Sequence, residues 1–219
     1  MMSGECDGNC SSGSCSGGSC SSDDDRLPPG MLSKYDLAQD TGLGALIWAE
    51  RENNGISESS LRLISKMRKI SDDRIFVMIT GPADIKPLYD VLFSYGADTV
   101  YHIRSKQLEE YNSKLYADAL KDSAERINPM CILLPASERG NETAKLLSEK
   151  MGKSAEINCT DISMVSNRLQ TEGSGSIPMF MKHGKLPIIA TVITDTFDSV
   201  SENGRKGTVI YRTFTSSKT

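Results

Sequence analysis

The stretch Met130-Cys131-Ile132-Leu133-Leu134-Pro135-Ala136-Ser137-Glu138-Arg139-Gly140-Asn141-Glu142 passes from a short aliphatic run through a turn into a helical pattern. The helix carries Ala144, Leu147 and Met151 on one stripe and stops at Gly152. An aliphatic run that is apolar on both faces, feeding directly into a helix, is the signature of a parallel strand covered on both sides. Three earlier runs read the same way: Ala45-Leu46-Ile47-Trp48-Ala49, Ile75-Phe76-Val77-Met78-Ile79 and Thr99-Val100-Tyr101-His102-Ile103. Helical segments fill the gaps. One carries Leu61, Ile64, Met67 and Ile70 with Ser57 as its cap, one carries Leu88, Leu92 and Tyr95 between Asp84 and Gly96, and one carries Tyr116, Leu120, Ala124 and Ile127. Pro87 fits the second of these, because first-turn N–H groups have no helical partner. The alternation predicts an α/β fold, a doubly wound, mostly parallel sheet with right-handed crossovers.

After Gly152 the pattern is all strand. Ile157 to Val165 reads as one strand, and Arg168-Leu169-Gln170 starts another. Met179 to Lys182, turning at His183-Gly184 into Pro187-Ile188-Ile189-Ala190-Thr191-Val192, reads as a hairpin, and Thr208 to Phe214 as a last strand. The expectation is a set of C-terminal antiparallel strands beside the parallel sheet.

The chain has 219 residues, and 25 Lys+Arg against 29 Asp+Glu give a net charge of −4. With a pI near 5.3 it lacks the basic stripe a nucleic-acid-coating protein needs to displace counterions, so no nucleic-acid partner is expected. Hydrophobic residues make up 38%, enough for one core, and the mean hydropathy is −0.33. No apolar run approaches the ~18 residues that span a bilayer. The opening Met-Met-Ser-Gly-Glu-Cys has neither a basic nor an apolar leader region, so the reading is a cytoplasmic protein.

Residues 1–22 hold Ser, Gly and Cys, two Met, and Glu5, Asp7 and Asn9. Such a segment has no apolar area to bury against its ordering entropy. Asp23-Asp24-Asp25 and Pro28-Pro29-Gly30 then read as a linker, so residues 1–30 are expected to form a tail and 31–219 the domain. Cys6, Cys10, Cys15 and Cys20 follow C-x3-C-x4-C-x4-C. Thiolates are soft ligands, and clustered cysteines of an intracellular chain suggest metal before disulfide. Structural zinc sites pair their cysteines around a longer loop. The near-even spacing here suits an iron–sulfur cluster, one ligand per corner, expected as [4Fe–4S]. A labile zinc or copper site, and thiols without a specific ligand, stay open beside it.

The turn Ser137-Glu138-Arg139-Gly140-Asn141 is the other candidate. In an open α/β sheet ligands gather at the carboxyl edge, and helix N-termini attract anions. Ser137, Arg139 and the N–H groups of Gly140 and Asn141 are therefore candidate cofactor-binding groups for a phosphate. The alternative is a capped helix start, with Glu138 favourable at the positive end of the dipole. No G-x-x-x-x-G-K-[ST] or G-x-G-x-x-G motif is present. His102 and His183 have no triad partner and read as surface residues; Cys131, Cys159 and Trp48 read as core.

The globular part resembles the N-terminal domain of the electron-transfer flavoprotein alpha subunit, an adenine-nucleotide-binding-like fold. The likeness runs over roughly residues 43–214. It rests on Leu46-Ile47-Trp48-Ala49-Glu50, Gly96-Ala97-Asp98-Thr99-Val100, Leu108, Tyr111 and Tyr116-Ala117-Asp118-Ala119-Leu120, then Pro129 and Ile132-Leu133-Leu134. It continues through Ser137-Glu138-Arg139-Gly140-Asn141-Glu142, Pro187, Ala190-Thr191-Val192 and Asn203-Gly204-Arg205-Lys206-Gly207. The resemblance implies a scaffold that pairs with a beta-type subunit holding AMP or a second FAD, and a possible larger flavin-dependent dehydrogenase or reductase. The family's FAD-binding second domain would begin where this chain ends, so the resemblance places FAD on partner chains. An isolated scaffold should then leave an apolar face uncovered. The rival reading is a non-redox adenine-nucleotide-binding module with an inert tail. A nucleotide-activating enzyme is a third, weakened by the missing phosphate motif.

Overall fold

The computed structural model describes residues 44–215 apart from 54, 83–84, 166–167, 174–177, 180–186 and 203. Cys6, Cys10, Cys15 and Cys20, the 30/31 boundary, Asp84 and His183 lie outside the described residues.

The four aliphatic runs become strands β1 (Ala45–Trp48), β4 (Ile75–Thr80), β5 (Thr99–Arg104) and β6 (Cys131–Pro135). Short strands β2 (Arg51–Glu52) and β3 (Gly55–Ile56) form an antiparallel pair just after β1. Helices α1 (Glu58–Ile70), α2 (Lys86–Ser94), α3 (Ser113–Ile127) and α4 (Glu138–Met151) fill the gaps. Later come β7 (Ala155–Cys159), β8 (Asp161–Val165), β9 (Arg168–Glu172), β10 (Pro178–Met179), β11 (Ile188–Val192) and β12 (Thr208–Thr213).

The main sheet runs β12-β5-β4-β1-β6-β11-β7, and each of its strand pairs is parallel. Ala45, Ile47 and Ala49 face one core layer with Leu63, Ile64 and Met67 of α1 and Leu92 of α2. Leu46 and Trp48 face the other, with Leu120 of α3 and Leu147 of α4. The period of two along β1 therefore sends alternate side chains to opposite layers, which is why the run is apolar throughout.

Helix ends follow their cap chemistry. Ser57 and Ser137 cap α1 and α4 by accepting from the N–H three residues on. Gly152 closes α4 with φ +62°. Helix α2 starts at Ile85 without a side-chain cap.

Three expectations need correction. The hairpin expected around His183-Gly184 does not form, because β11 pairs in parallel with β6 on one side and β7 on the other. Its apolar run is that of a buried central strand, with Ile189, Ala190 and Val192 in the core. The antiparallel part is instead β8-β9-β10, and β12 joins the main sheet in parallel beside β5. The single strand expected from Ile157 to Val165 is two, β7 and β8, parted at Thr160 after the left-handed Asn158 (φ +59°). His102 is not a surface residue: it is fully buried on β5, where Tyr89 of α2 donates to its Nδ1 (2.6 Å) and its Nε2–H donates to the Gly81 carbonyl (2.9 Å). Burial, and the positive charges of Arg104 and Arg51 after it, hold the imidazole below its ordinary pKa despite the Gly81 bond.

Candidate functional site

From β1 the chain steps outward through β4 and β5, then returns by α3 to place β6 on the opposite side of β1. The carboxyl ends of β1 and β6 thus flank the point where strand order reverses, the usual ligand crevice of an open α/β sheet. A cavity of about 370 Å³ opens there. Trp48, Glu50 and Arg51 enter it from β1 and its exit, Thr80 from the end of β4, Tyr111 and Tyr116 from the loop after β5 and the start of α3, and Arg139 from α4. A second lobe of about 450 Å³ shares Glu50, Arg51, Asn53 and Arg139 with the first and reaches Ser137 and Glu138.

The walls of the inner lobe are fixed by packing. Tyr116 donates to the Leu108 carbonyl (2.9 Å) and accepts from Thr80 Oγ1 (3.0 Å). Trp48 meets Tyr116 edge-on, with centroids 5.7 Å apart, and stacks on Tyr111 with ring planes 22° from parallel and centroids 6.5 Å apart. The Arg139 guanidinium sits 5.2 Å over the Tyr111 ring. The Tyr111 hydroxyl lies 3.0 Å from Thr143 Oγ1, 3.0 Å from the Arg139 carbonyl and 3.2 Å from Glu142 Oε2. Ser113 donates to the other oxygen of Glu142 (2.8 Å), tying α3 to α4. Burial, reinforced by the Glu142 and Glu50 carboxylates against the Thr143 bond, pushes the Tyr111 phenol up to about 12, so it stays a neutral wall.

Glu50 is the conspicuous charge. Its backbone is clamped, the N–H donating to Ser60 Oγ and the carbonyl accepting from Ser57 N–H, both at 2.9 Å. The residue is 5% exposed and lines both lobes, yet its carboxylate has no hydrogen-bond or ion-pair partner among the described residues. Arg51, next in sequence, donates through Nη1 to the Thr80 carbonyl (3.3 Å).

The turn residues singled out from sequence lie on the outer lobe. Ser137 Oγ accepts from Gly140 N–H (2.9 Å), and the Ser137 carbonyl accepts from Asn141 N–H (2.9 Å). Both amides proposed as phosphate donors therefore already serve the helix start. The first-turn amides of Glu138 and Arg139, which have no helical acceptor four residues back, are the donors left for an anion. Asn141 turns its amide to Asn158 Oδ1 (2.9 Å), towards β7. A Cβ on Gly140 would stand 1.9 Å from the Pro135 carbonyl oxygen, so glycine is required there for the close approach of α4 to β6. These groups do not fit the pyrophosphate of a flavin dinucleotide: the glycine is committed to packing and its amide to the cap. Sequence reasoning missed Glu50, Arg51, Tyr111 and Tyr116 as crevice residues; the one available signal was a Glu directly after an apolar strand run.

Among the described residues no three His, Cys, Asp or Glu side chains converge as a metal site, and no helix is long and apolar enough to cross a membrane. The exposed large apolar side chains among the described residues are Val91, Val165, Val200 and Tyr211.

Residues 45–216 match the family described as Electron transfer flavoprotein domain. This chain belongs to that family. Over 126 residues it is 25% identical to the electron transfer flavoprotein subunit alpha of Thermoanaerobacterium thermosaccharolyticum, covering 56% of this chain and 38% of that protein. It is 27% identical over 130 residues to the subunit alpha of Megasphaera elsdenii, covering 58% and 38%. It is 24% identical over 127 residues to the lactate dehydrogenase (NAD(+),ferredoxin) subunit LctC of Acetobacterium woodii, covering 57% and 30%. The chain thus spans well under half the length of these curated relatives.

Proposed function

We propose that this chain is an alpha-type subunit of an electron-transferring flavoprotein complex, a scaffold for a beta-type subunit that works with a larger flavin-dependent dehydrogenase or reductase of the cytoplasm. The observation that carries the reading is the family match over residues 45–216, nearly the whole of the described fold. The committed glycine and capped amides of the α4 turn support placing FAD on partner chains, with AMP or a second FAD in the beta-type subunit. The rigid seven-stranded sheet then serves as a platform.

The four tail thiolates of Cys6, Cys10, Cys15 and Cys20 are a donor set of the right number and softness for one [4Fe–4S] cluster. Such a cluster would supply a one-electron carrier beside a two-electron flavin. The tail offers little apolar surface, so the metal–thiolate bonds would provide its ordering energy.

Co-expression with a beta-type subunit, followed by size-exclusion chromatography under anaerobic conditions, tests the reading. Co-elution of the two chains, with flavin in the complex and none held stoichiometrically by this chain alone, is the expected result. A chain that ignores the beta-type subunit, or retains stoichiometric FAD by itself, overturns it.

A further inference from the structure

We propose that His102 and the side chains around it form a pH-sensitive latch on the sheet edge: uptake of a proton by the buried imidazole opens β12 from β5. This stands apart from the scaffold role and does not depend on it.

The latch is built from four side chains. His102 lies in the middle of β5, fully buried, in register with Ile79 of β4 on one side and Tyr211 of β12 on the other. Helix α2 lays the buried Tyr89 against it, with ring centroids 5.7 Å apart. The Tyr211 ring stands 5.8 Å from the imidazole and 6.3 Å from the Tyr89 ring. Tyr211 is 45% exposed, so it is the wall between the buried ring and water. Arg104, two residues further along β5, sets its guanidinium 3.9 Å over the Tyr211 ring. The exposed aromatic ring of an edge strand is thus held between a buried histidine and an arginine.

The neutral ring fits this pocket in one tautomer. The Gly81 carbonyl can only accept, so Nε2 carries the hydrogen and Nδ1 accepts from Tyr89. A second proton must therefore go onto Nδ1. It makes that atom a donor facing the Tyr89 hydroxyl at 2.6 Å, and the hydroxyl must turn its own hydrogen elsewhere. Arg104 cannot receive it, because a guanidinium only donates. The charges acting on the ring are Arg104 beside it and Arg51, whose guanidinium lies against Gly81, and both are positive; Lys86 and Asp90 of α2 are exposed. An imidazolium here is thus buried, wrongly bonded and beside like charge. Relief comes most readily at β12, which pairs with β5 alone and exposes four of its six residues. Its amino end is pinned to Asp98, by the Thr208 N–H on the carbonyl (3.0 Å) and by Arg205 on the carboxylate (2.8 Å). The carboxyl half, which carries Tyr211, relies on the ladder with β5, ending at the Phe214 N–H on the Arg104 carbonyl (3.3 Å). Opening that half lets Arg104 swing away with Tyr211, admits water to the imidazolium and bares the N–H and C=O groups along the edge of β5.

Native-state hydrogen exchange of the full chain, followed residue by residue by NMR at about pH 5.5 and about pH 7.5, tests the latch. An opening that returns His102 to its ordinary pKa of 6.5 takes up a proton as the pH falls, so its equilibrium constant should rise between about 3- and 10-fold over this interval. The expected result is that β12 amides bonded to β5 exchange through an opening easier than the global unfolding read from β1 and β6 amides. Their protection, corrected for the intrinsic exchange rate, should fall by that factor at the lower pH. His102→Gln should remove this pH response. Arg104→Gln changes a half-buried position and keeps the imidazole; it should raise the titration midpoint of His102 in NMR and shrink the fall in protection. If His102→Gln does not fold, Arg104→Gln decides. Protection of β12 equal to that of β1, a β12 opening indifferent to pH, a response that survives His102→Gln, or one unchanged in Arg104→Gln would overturn the inference.

Discussion

Replacing Gly140 by Ala adds one methyl group at the most constrained point of the candidate site. The new Cβ would stand 1.9 Å from the Pro135 carbonyl oxygen and 3.2 Å from Ser137 Oγ. Real Cβ contacts do not fall below 3.0 Å, so the end of β6 and the start of α4 must part by about 1.1 Å. The obstacle is backbone, which cannot rotate away as a side chain would. Overpacking costs about 1–3 kcal/mol, and a clash with a strand carbonyl belongs at the upper end. Separation also disturbs the Ser137 cap, worth about 1 kcal/mol, and this offsets the ~1 kcal/mol that Ala gains over Gly in a helix. The net loss is therefore about 3 kcal/mol, or a melting temperature lower by roughly 6–12 °C for a domain of this size. Thermal and urea unfolding followed by circular dichroism measure it. Gly173→Ala is the control, because a Cβ there meets nothing within 4 Å. A Gly140→Ala protein that melts at or above the parent temperature would refute the close-packing argument and reopen the turn as a phosphate cradle.

Lowering the pH should weaken the fold through His102, whose folded pKa lies below the ordinary 6.5. As pH falls through 6.5 the unfolded chain takes up a proton that the buried ring declines, so stability declines from there down to the folded pKa and then levels. His102→Gln should flatten this slope while costing about 1–3 kcal/mol for the buried Tyr89 and Gly81 partners, read from urea midpoints between about pH 5 and 8. Thiol alkylation of the native metal-free chain with mass mapping should modify the four tail cysteines and spare Cys131 and Cys159, whose thiols burial pushes up to about 12 and about 11. Labelling of Cys131 as fast as Cys10 would contradict its place in the core. Cys10→Ser or Cys15→Ser should abolish iron–sulfur absorbance in anaerobic preparations and leave the α/β core folded; a wild-type chain without iron and sulfide would remove the cluster from the proposal.

The architecture was legible because the four strands at its centre, β1, β4, β5 and β6, are buried on both faces. A run such as Ile75 to Ile79 has no polar alternation to confuse with an edge strand, and the helices between the runs announce crossovers. The same rule explains the failure after Gly152. Pro187 to Val192 has the two-sided apolar character of β1 and β6, and read by that character it belongs in the parallel sheet; read by its neighbours His183-Gly184 it suggested a hairpin. Local turn chemistry was allowed to outvote burial periodicity, and β11 pairs with strands far away in sequence. His102 was misjudged for a related reason. With no triad partner in the sequence it read as a surface residue, but α2 supplies Tyr89 and the β4 exit supplies the Gly81 carbonyl, both at distances no sequence pattern encodes.

The site was half legible. The Ser-x-x-Gly turn before α4 is compatible with an anion cradle and with a capped, close-packed helix start, since both use a hydroxyl and a glycine at that spacing. What separates them is where the missing Cβ would go: into ligand space for a cradle, into a strand for packing. At Gly140 it goes into Pro135. The glycine therefore fixes the angle at which α4 leaves the sheet, and with it the position of Arg139 against Tyr111 across the crevice. Glu50 stayed hidden because a Glu ending a strand is ordinarily solvated. Here β2 and β3 fold back beside it, Ser57 and Ser60 hold its backbone, and the Trp48–Tyr111–Tyr116 wall closes the inner side. The packing glycine that spoils the turn as a cradle thereby helps to shape the crevice that Glu50, Arg51 and Arg139 line.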